Sequence, residues 1–472
     1  MEGSDVHPRW FALLKWLSGH GMDVSQEKLP VVARSTPDAG YGLFSLRSII
    51  EPATPLFTIP ASALLNHLTL APHYPPTKPE LTCTQFISLH LLLHRPLNGG
   101  QSSDPLFGPY ISVLPQSFDF HPLIWLWKRR SDPSRSTLES RLVKCLPSSI
   151  LAKLDKILSL FDKDWRRIQD YLRLNPSLID DRNRIVNGIH FEQDYLWAWL
   201  NVNTRCVYHR LAKTQTDQNN MTLCPILDLA NHTPTPPYTM PQATRAELWG
   251  IGPSSRRKYG EDFVLLSPST SSTRCNEEMF LRYGAHSNAT LFAEYGFVNQ
   301  PNSEQDHNDY ELDLGKVIED LFSERGDIGY WMREVLIEEG YWGDWTLHFS
   351  PVPAHPSYRL ITALRLYHLL PVSADDIPPG SDSTLQVWRD TMFGKRGTIS
   401  EENEGLWKGT LSKICKDIIE RGKGGLKMTV NIQEQGSPTW LQPAKACIET
   451  LWREEIDVAI AVARSLEDNE EF

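Results

Sequence analysis

The feature that most limits the fold is a pair of short β-like regions held apart by a long helical stretch. Between Val31 and Ile59 lie the runs VVA, YGLF and LFTIP, separated by turn clusters such as Pro37-Asp38-Ala39-Gly40. β-Branched and aromatic residues bounded by Gly, Pro and Asp are the mark of short strands. Comparable pieces return only between 223 and 283, as ELWGI, DFVLLS and EMFLRY. From about 120 to 200 the pattern is helical: Ile150, Leu154, Ile157, Phe161, Trp165, Ile168 and Leu172 recur at helical spacing among Lys, Asp and Arg. Neither β region is long enough to bury a good core by itself, so the two are expected to combine into one folding unit.

Further helices are expected at 9–18, where Trp10, Leu13, Leu14 and Leu17 share a face ended by Gly19 and Gly21, and at 83–94, Tyr195–Tyr208 and 289–298. Gly99–Pro105 reads as a polar loop and Glu304–Asp313 as an acidic one. Beyond it the chain is mostly helical, at 315–323, 358–370, 402–421 and 444–466, with a frayed tail at Glu467–Phe472. The expected division is 1–95 (N-terminal helix and first β part), 96–200 (helical insertion), 201–300 (second β part) and 301–472 (helical C-terminal domain).

The 472 residues, 40% hydrophobic and 22% charged, are those of a soluble globular protein. No apolar run approaches the roughly 18–20 residues that cross a bilayer. The N-terminus MEGSDVHPRWFALLKWLSGHG is not secretory, because acidic residues come early and Lys15 interrupts the apolar stretch. A net charge of −11 argues against direct nucleic-acid binding and suits a basic protein partner. The runs Lys128-Arg129-Arg130 and Arg256-Arg257-Lys258 read as solvated surface. Seven cysteines are scattered without a C-x-C or C-x-x-C pair, which reads as reduced, intracellular and zinc-free.

Four stretches carry chemistry. In Asp38-Ala39-Gly40-Tyr41-Gly42-Leu43-Phe44, glycines two apart allow close backbone approach; the plainer reading is a hairpin turn. WLNVNTRCVYH places Asn203 and Arg205 on a helix, where burial unpaired is costly. PILDLANHTP is an apolar, strand-like run that ends in Asp228, Asn231 and His232. NEEMFLRYGAHSNATLFAEYGFV holds two Tyr-Gly steps, at Tyr283 and Tyr295. Carboxylate, amide and imidazole together suit a metal, but no H-E-x-x-H, H-x-D or second Asp/His cluster accompanies them. A polar ligand held by backbone and amide groups is the better reading.

Taken together, PILDLANHTP, NEEMFLRYGAHSNATLFAEYGFV and the upstream AGYGLF resemble the two halves of a SET domain. The closest subfamily is that of the plant Rubisco large-subunit lysine methyltransferase. WLNVNTRCVY resembles its helix motif, with Thr204 where Ser is usual, and SDPLFGPYISVLP resembles another of its segments, with Phe107 in a Trp place. VNTRCVY leans towards the animal SET-domain-containing protein four group. The resemblance spans about 25–300; the C-terminal part is similar only in length and helical character.

The resemblance implies an α+β fold: a β-rich SET domain with a knot-like core, interrupted by a helical insertion and followed by an all-α substrate-binding domain. It implies an S-adenosylmethionine-dependent protein-lysine N-methyltransferase, monomeric, cytoplasmic or nuclear, acting on a ribosomal protein, translation factor or histone. A protein-histidine methyltransferase and a non-catalytic binding module are the alternatives. It assigns catalysis to Tyr283 and Tyr295. It assigns the cofactor to Ala39, Gly40, Tyr41, Gly42, Arg205, Asn231, His232, Tyr283 and Phe297, and the substrate to Arg205, His209, Asp228 and Tyr295. No metal takes part in that chemistry, and none is expected.

Overall fold

Strands from the two distant regions interleave. The computed structural model describes residues 6–36, 40–96, 99–134, 137–179, 189–211, 219–243, 258–269, 272–299, 310–371, 381–433, 436 and 438–472. Ala39, the run ELWGI, Arg256-Arg257 and most of the acidic loop lie outside these residues. The chain divides into two compact units. The first is 1–119 with 157–286; the second is 120–156 with 287–472.

In the first unit the strands are β1 (Val31–Thr36), β2 (Gly40–Ser45), β3 (Pro55–Ile59), β4 (Val207–Tyr208), β5 (Met221–Thr222), β6 (Met240–Ala243), β7 (Phe263–Leu266) and β8 (Glu278–Met279). β1 and β2 form a hairpin with Val31 opposite Ser45 and Thr36 opposite Gly40. β2 then pairs with β8, Leu43 opposite Met279. β7 lies between β3 and β6, with Phe263 opposite both Ile59 and Ala243. These two three-stranded sheets therefore join one β region to the other, as their small size demanded.

The helix Cys83–Leu93 packs against the helix Ile189–Arg205 in this unit. Thr82 and Gln85 close a capping box at the first helix's start. Tyr195, Leu196, Trp197, Ala198, Trp199, Leu200 and Val202 are all buried. Asp164 binds the pair from the side, accepting from Gln85 Nε2 (2.8 Å) and Trp199 Nε1 (2.9 Å). The helix stops at Arg205, three residues short of the expected Tyr208. Val207 and Tyr208 leave it to pair with β5, with Val207 opposite Thr222.

The second unit is mainly helical around Phe322, Trp345, Trp388, Trp407, Leu411 and Val462. It is not all-α, as the resemblance implied. β9 (Glu311–Asp313), β10 (Thr346–His348) and β11 (His355–Pro356) form an antiparallel sheet in the order β11-β10-β9. Strands of two or three residues carry no readable alternation, so sequence periodicity could not reveal them. The long helices Glu401–Val430 and Leu441–Glu467 lie along each other. They approach closely because Gly422 and Gly425 have no side chain: a Cβ on Gly425 would stand 2.2 Å from Trp452 Cε2, and one on Gly422 2.5 Å from Ile456 Cγ1.

That contact predicts opposite effects from neighbouring glycines. Gly425→Ala should lower the second unit's unfolding free energy by about 1–3 kcal/mol through overpacking. Gly424→Ala, whose Cβ would meet nothing within 4 Å, should raise it by roughly 0.5–1 kcal/mol through helix propensity. Urea denaturation of the two variants, followed by circular dichroism, measures both.

Candidate active site

The apolar run before Asp228 is not a strand. Ile226 has φ 68° and ψ −52°, and Leu227 N donates to Pro225 O at 2.8 Å, which together make a positive-φ γ-turn. A β-branched residue rarely accepts this conformation, at a cost of order 1–3 kcal/mol. Burial of the Ile226 and Leu227 side chains, both nearly complete, offsets it. A 3₁₀ turn, Leu227–Leu229, follows and turns Asp228 inward.

Asp228 is fully enclosed. Tyr110 OH donates to its Oδ2 at 3.0 Å, and Arg205 Nη1 donates to its main-chain oxygen at 2.7 Å. The same guanidinium stands 3.6 Å from Oδ2. Burial pushes the Asp228 carboxyl above its usual range, while Arg205 and Tyr110 draw it partly back. Asp228 Oδ1 and Arg205 Nε are buried and make no hydrogen bond to any described residue. A polar ligand could satisfy them, since unpaired buried polar atoms are otherwise costly.

Asn231 and His232 lie beside the chain that leads to Tyr283. His232 forms a parallel bridge with Leu281; Leu281 N donates to Asn231 O at 2.8 Å and Thr233 N to Leu281 O at 2.9 Å. Tyr283 N donates to His232 Nδ1 at 3.1 Å, so this imidazole accepts on Nδ1. Burial lowers its pKa, which favours the neutral ring that this bond needs. The Tyr283 ring lies 5.1 Å from that of His232, and its hydroxyl donates to Ala230 O at 3.0 Å.

Gly40-Tyr41-Gly42 joins the same group. A Cβ on Gly42 would meet Glu278 Oε1 at 2.2 Å, Thr36 Cγ2 at 2.9 Å and Asn231 Nδ2 at 3.0 Å, so any side chain there would displace the Glu278 carboxylate. Asn231 Nδ2 donates to Glu278 Oε1 at 2.7 Å. Gly40 takes φ 78°, open to glycine at little cost. The Tyr41 ring rests 4.3 Å from that of His7. The structure thus brings Gly42, Asn231, His232 and Tyr283 into one neighbourhood, and Arg205 and Asp228 into a second contact pair.

His209 sits in a different network. Its Nδ1 is 3.3 Å from Thr222 Oγ1, which also accepts from Asn66 Nδ2, and its ring packs edge-on to Phe263. Tyr295 and Phe297 belong to the second unit. Tyr295 ends the helix Asn288–Tyr295, capped by the left-handed Gly296, with its ring 6.1 Å from Phe297. Two residues went unassigned in the sequence. Tyr110 lies within the FGPY segment and Glu278 within NEEMF; neither announces itself, because their partners Asp228 and Asn231 are over forty residues away.

Asp228, Asn231 and His232 are committed to Arg205 with Tyr110, to Glu278 and to the Tyr283 amide respectively. The unsatisfied atoms at Asp228 and Arg205 suit a polar ligand.

Burial moves His209 down to about 4. A group whose folded pKa lies below its unfolded value of about 6.5 contributes stability that is full above pH 6.5 and lost as pH falls towards 4, here on the order of 3 kcal/mol. An NMR titration of the imidazole should show its midpoint near 4; a midpoint above 6 would mean the ring is solvated.

No family model matches the chain. It is 26% identical over 470 residues to "SET domain-containing protein 4" of Mus musculus, covering 96% of this chain and 90% of that protein. It is 27% identical over 386 residues to "Ribosomal lysine N-methyltransferase 2" of Saccharomyces cerevisiae, covering 75% of each. A weaker likeness, 24% over 446 residues, reaches the "Actin-histidine N-methyltransferase" of Homo sapiens, with 88% of this chain and 63% of that one covered. Among solved structures, the SET domain of LSMT bound to lysine and AdoHcy superimposes with TM-score 0.63 at 20% identity, covering 98% of this chain and 92% of that one.

Proposed function

We infer that this chain, a SET-domain protein of the Rubisco LSMT-like type, is an S-adenosylmethionine-dependent methyltransferase acting on lysine side chains of a protein substrate. The observation that carries the reading is the Tyr283 hydroxyl anchored on Ala230 O, directly beside Asn231 and His232. The run of Asn231–Thr233 alongside Leu281, with β8 paired to β2 just before it, supports a knot-like crossing at this point.

When bound, S-adenosylmethionine supplies a methyl group on a sulfonium. The residues around Gly40, Tyr41 and Gly42 would hold its methionine end, and Asn231 and His232 its amino group and adenine. Ala39 and Phe297 join this set by resemblance alone. Arg205, with its unsatisfied Nε, would reach the carboxylate or the lysine channel. Transfer to an amine is an in-line displacement, so positioning is the protein's main contribution. Tyr283 donates its proton to Ala230 O, so its phenol oxygen would meet the incoming nitrogen as an acceptor. The attacking lysine must be neutral, against a free pKa of about 10.4. An aromatic wall, to which Tyr283 would contribute, disfavours the ammonium; Tyr295 is assigned to it by resemblance alone. Asp228 and His209 would line the substrate side.

An acidic chain suits a basic substrate such as a ribosomal protein, the target named for the yeast relative. Purified protein incubated with methyl-labelled cofactor and a lysate should label a lysine, mapped by mass spectrometry. Label on histidine would favour the histidine reading that the actin-directed relative suggests. Tyr283→Phe should lower kcat at least about tenfold, or roughly 1.4 kcal/mol of barrier. An equally active variant would remove Tyr283 from the mechanism. Asn231→Ala should abolish cofactor binding in a calorimetric titration.

A further inference from the structure

The helix Cys83–Leu93 and the loop after it assemble a second polar cluster, well inside the first unit. His90 lies on the helix and His94 caps its end, four residues on, so their rings share one face. The rings stand 4.6 Å apart. Both point at Asp104, which the polar loop carries back over the helix. His90 Nε2 is 3.1 Å from Asp104 Oδ2, and His94 Nε2 is 3.8 Å from Asp104 Oδ1. One ligand atom from each of the three residues lies within 4.8 Å of the other two. Donors around a tetrahedral zinc ion are about 3.3 Å apart, given bonds of about 2.0–2.1 Å. Small side-chain rotations bring the three atoms to that spacing.

The surroundings are those of a ligand set. Tyr74 OH stands 2.7 Å from His90 Nδ1 and so orients the ring with Nε2 towards Asp104. A metal-bound imidazole ordinarily has such a partner on its other nitrogen. Phe107 N donates to Asp104 Oδ2 at 2.6 Å and fixes the carboxylate. Ser102 Oγ donates to His94 O at 2.7 Å and ties the loop to the helix end. The carboxylate and His90 are each 1% exposed, whereas His94 is 29% exposed and gives an entry path and room for a water ligand. A buried carboxylate beside two imidazoles is suited to a divalent cation.

We propose that His90, His94 and Asp104 form a binding site for a single borderline divalent metal ion, zinc above all, with a fourth position open to water. Two imidazoles and one carboxylate favour zinc, nickel or cobalt over magnesium or calcium. The ion braces the loop 99–107 against the helix Cys83–Leu93 and takes no part in methyl transfer.

Untagged full-length protein, stripped with EDTA and dialysed, is titrated with zinc chloride by calorimetry and with cobalt chloride by visible absorption. Wild type should bind one equivalent that His94→Ala binds at least tenfold more weakly. The cobalt complex should show ligand-field bands that the variant lacks. Zinc should raise the melting temperature of wild type and not of the variant. Retained cofactor binding shows that the variant is folded, and His94→Gln is the second arm should the alanine variant fold poorly. Absence of a saturable equivalent in wild type overturns the proposal. So does equal binding by the wild type and a folded His94 variant, since it assigns the ion to other histidines or cysteines.

Discussion

The main-chain exchange between Asn231–Thr233 and Leu281 is the contact on which the candidate site rests. It is short, consisting of two hydrogen bonds, yet it holds two segments some fifty residues apart in sequence at β-bridge distance. Once it forms, His232 Nδ1 meets the Tyr283 amide and the Tyr283 hydroxyl meets Ala230 O. The pairing of β8 with β2 then brings Glu278 over Gly42 and within reach of Asn231. Backbone bonds position the site, and its side chains are largely occupied in holding one another. Such an arrangement suits a reaction that depends on orientation more than on a charged catalyst.

The γ-turn at Ile226 is the conformational cost of that contact. Without it the apolar run would continue as an extended strand, and Asp228 would project to one side of a sheet. Instead the chain folds into a 3₁₀ turn, Asp228 meets Arg205 and Tyr110, and Asn231 emerges at the bridge. Strain of this kind persists where surrounding packing over-determines it, and it clusters at functional sites. Here the packing is the burial of Ile226 and Leu227.

Two polar clusters in the first unit show different economies. In the Asp228 cluster, Oδ1 and Arg205 Nε are buried and make no hydrogen bond to any described residue. The Asp104 cluster is anchored on Tyr74 and the Phe107 amide and turns two imidazoles on one carboxylate. The His90–His94 spacing is visible in the sequence, but it lies inside the apolar run ISLHLLLH and has no cysteine or acidic neighbour to mark it. Asp104 becomes its partner only through the path of the loop.

Local pattern by itself determined the helices and the larger strands: helical spacing marks Ile150 to Leu172, and β-branched runs between turn residues mark β1, β2, β3 and β7. It also determined that two small β regions must share a core, because neither could bury enough apolar surface alone. Gly40, Gly42, Asn231, His232 and Tyr283 were legible as site candidates through the motifs they sit in. Tertiary structure alone decided the rest. The pairing of Tyr110 with Asp228, the meeting of Glu278 with Gly42 and Asn231, the positive-φ turn at Ile226 and the separation of His209 into a network with Thr222 all depend on segments distant in sequence. The sheet β9–β11 belongs with them, since its strands of two or three residues owe their existence to cross-strand partners. Periodicity records which face of an element is buried; it holds no record of which distant atom a polar group will meet there.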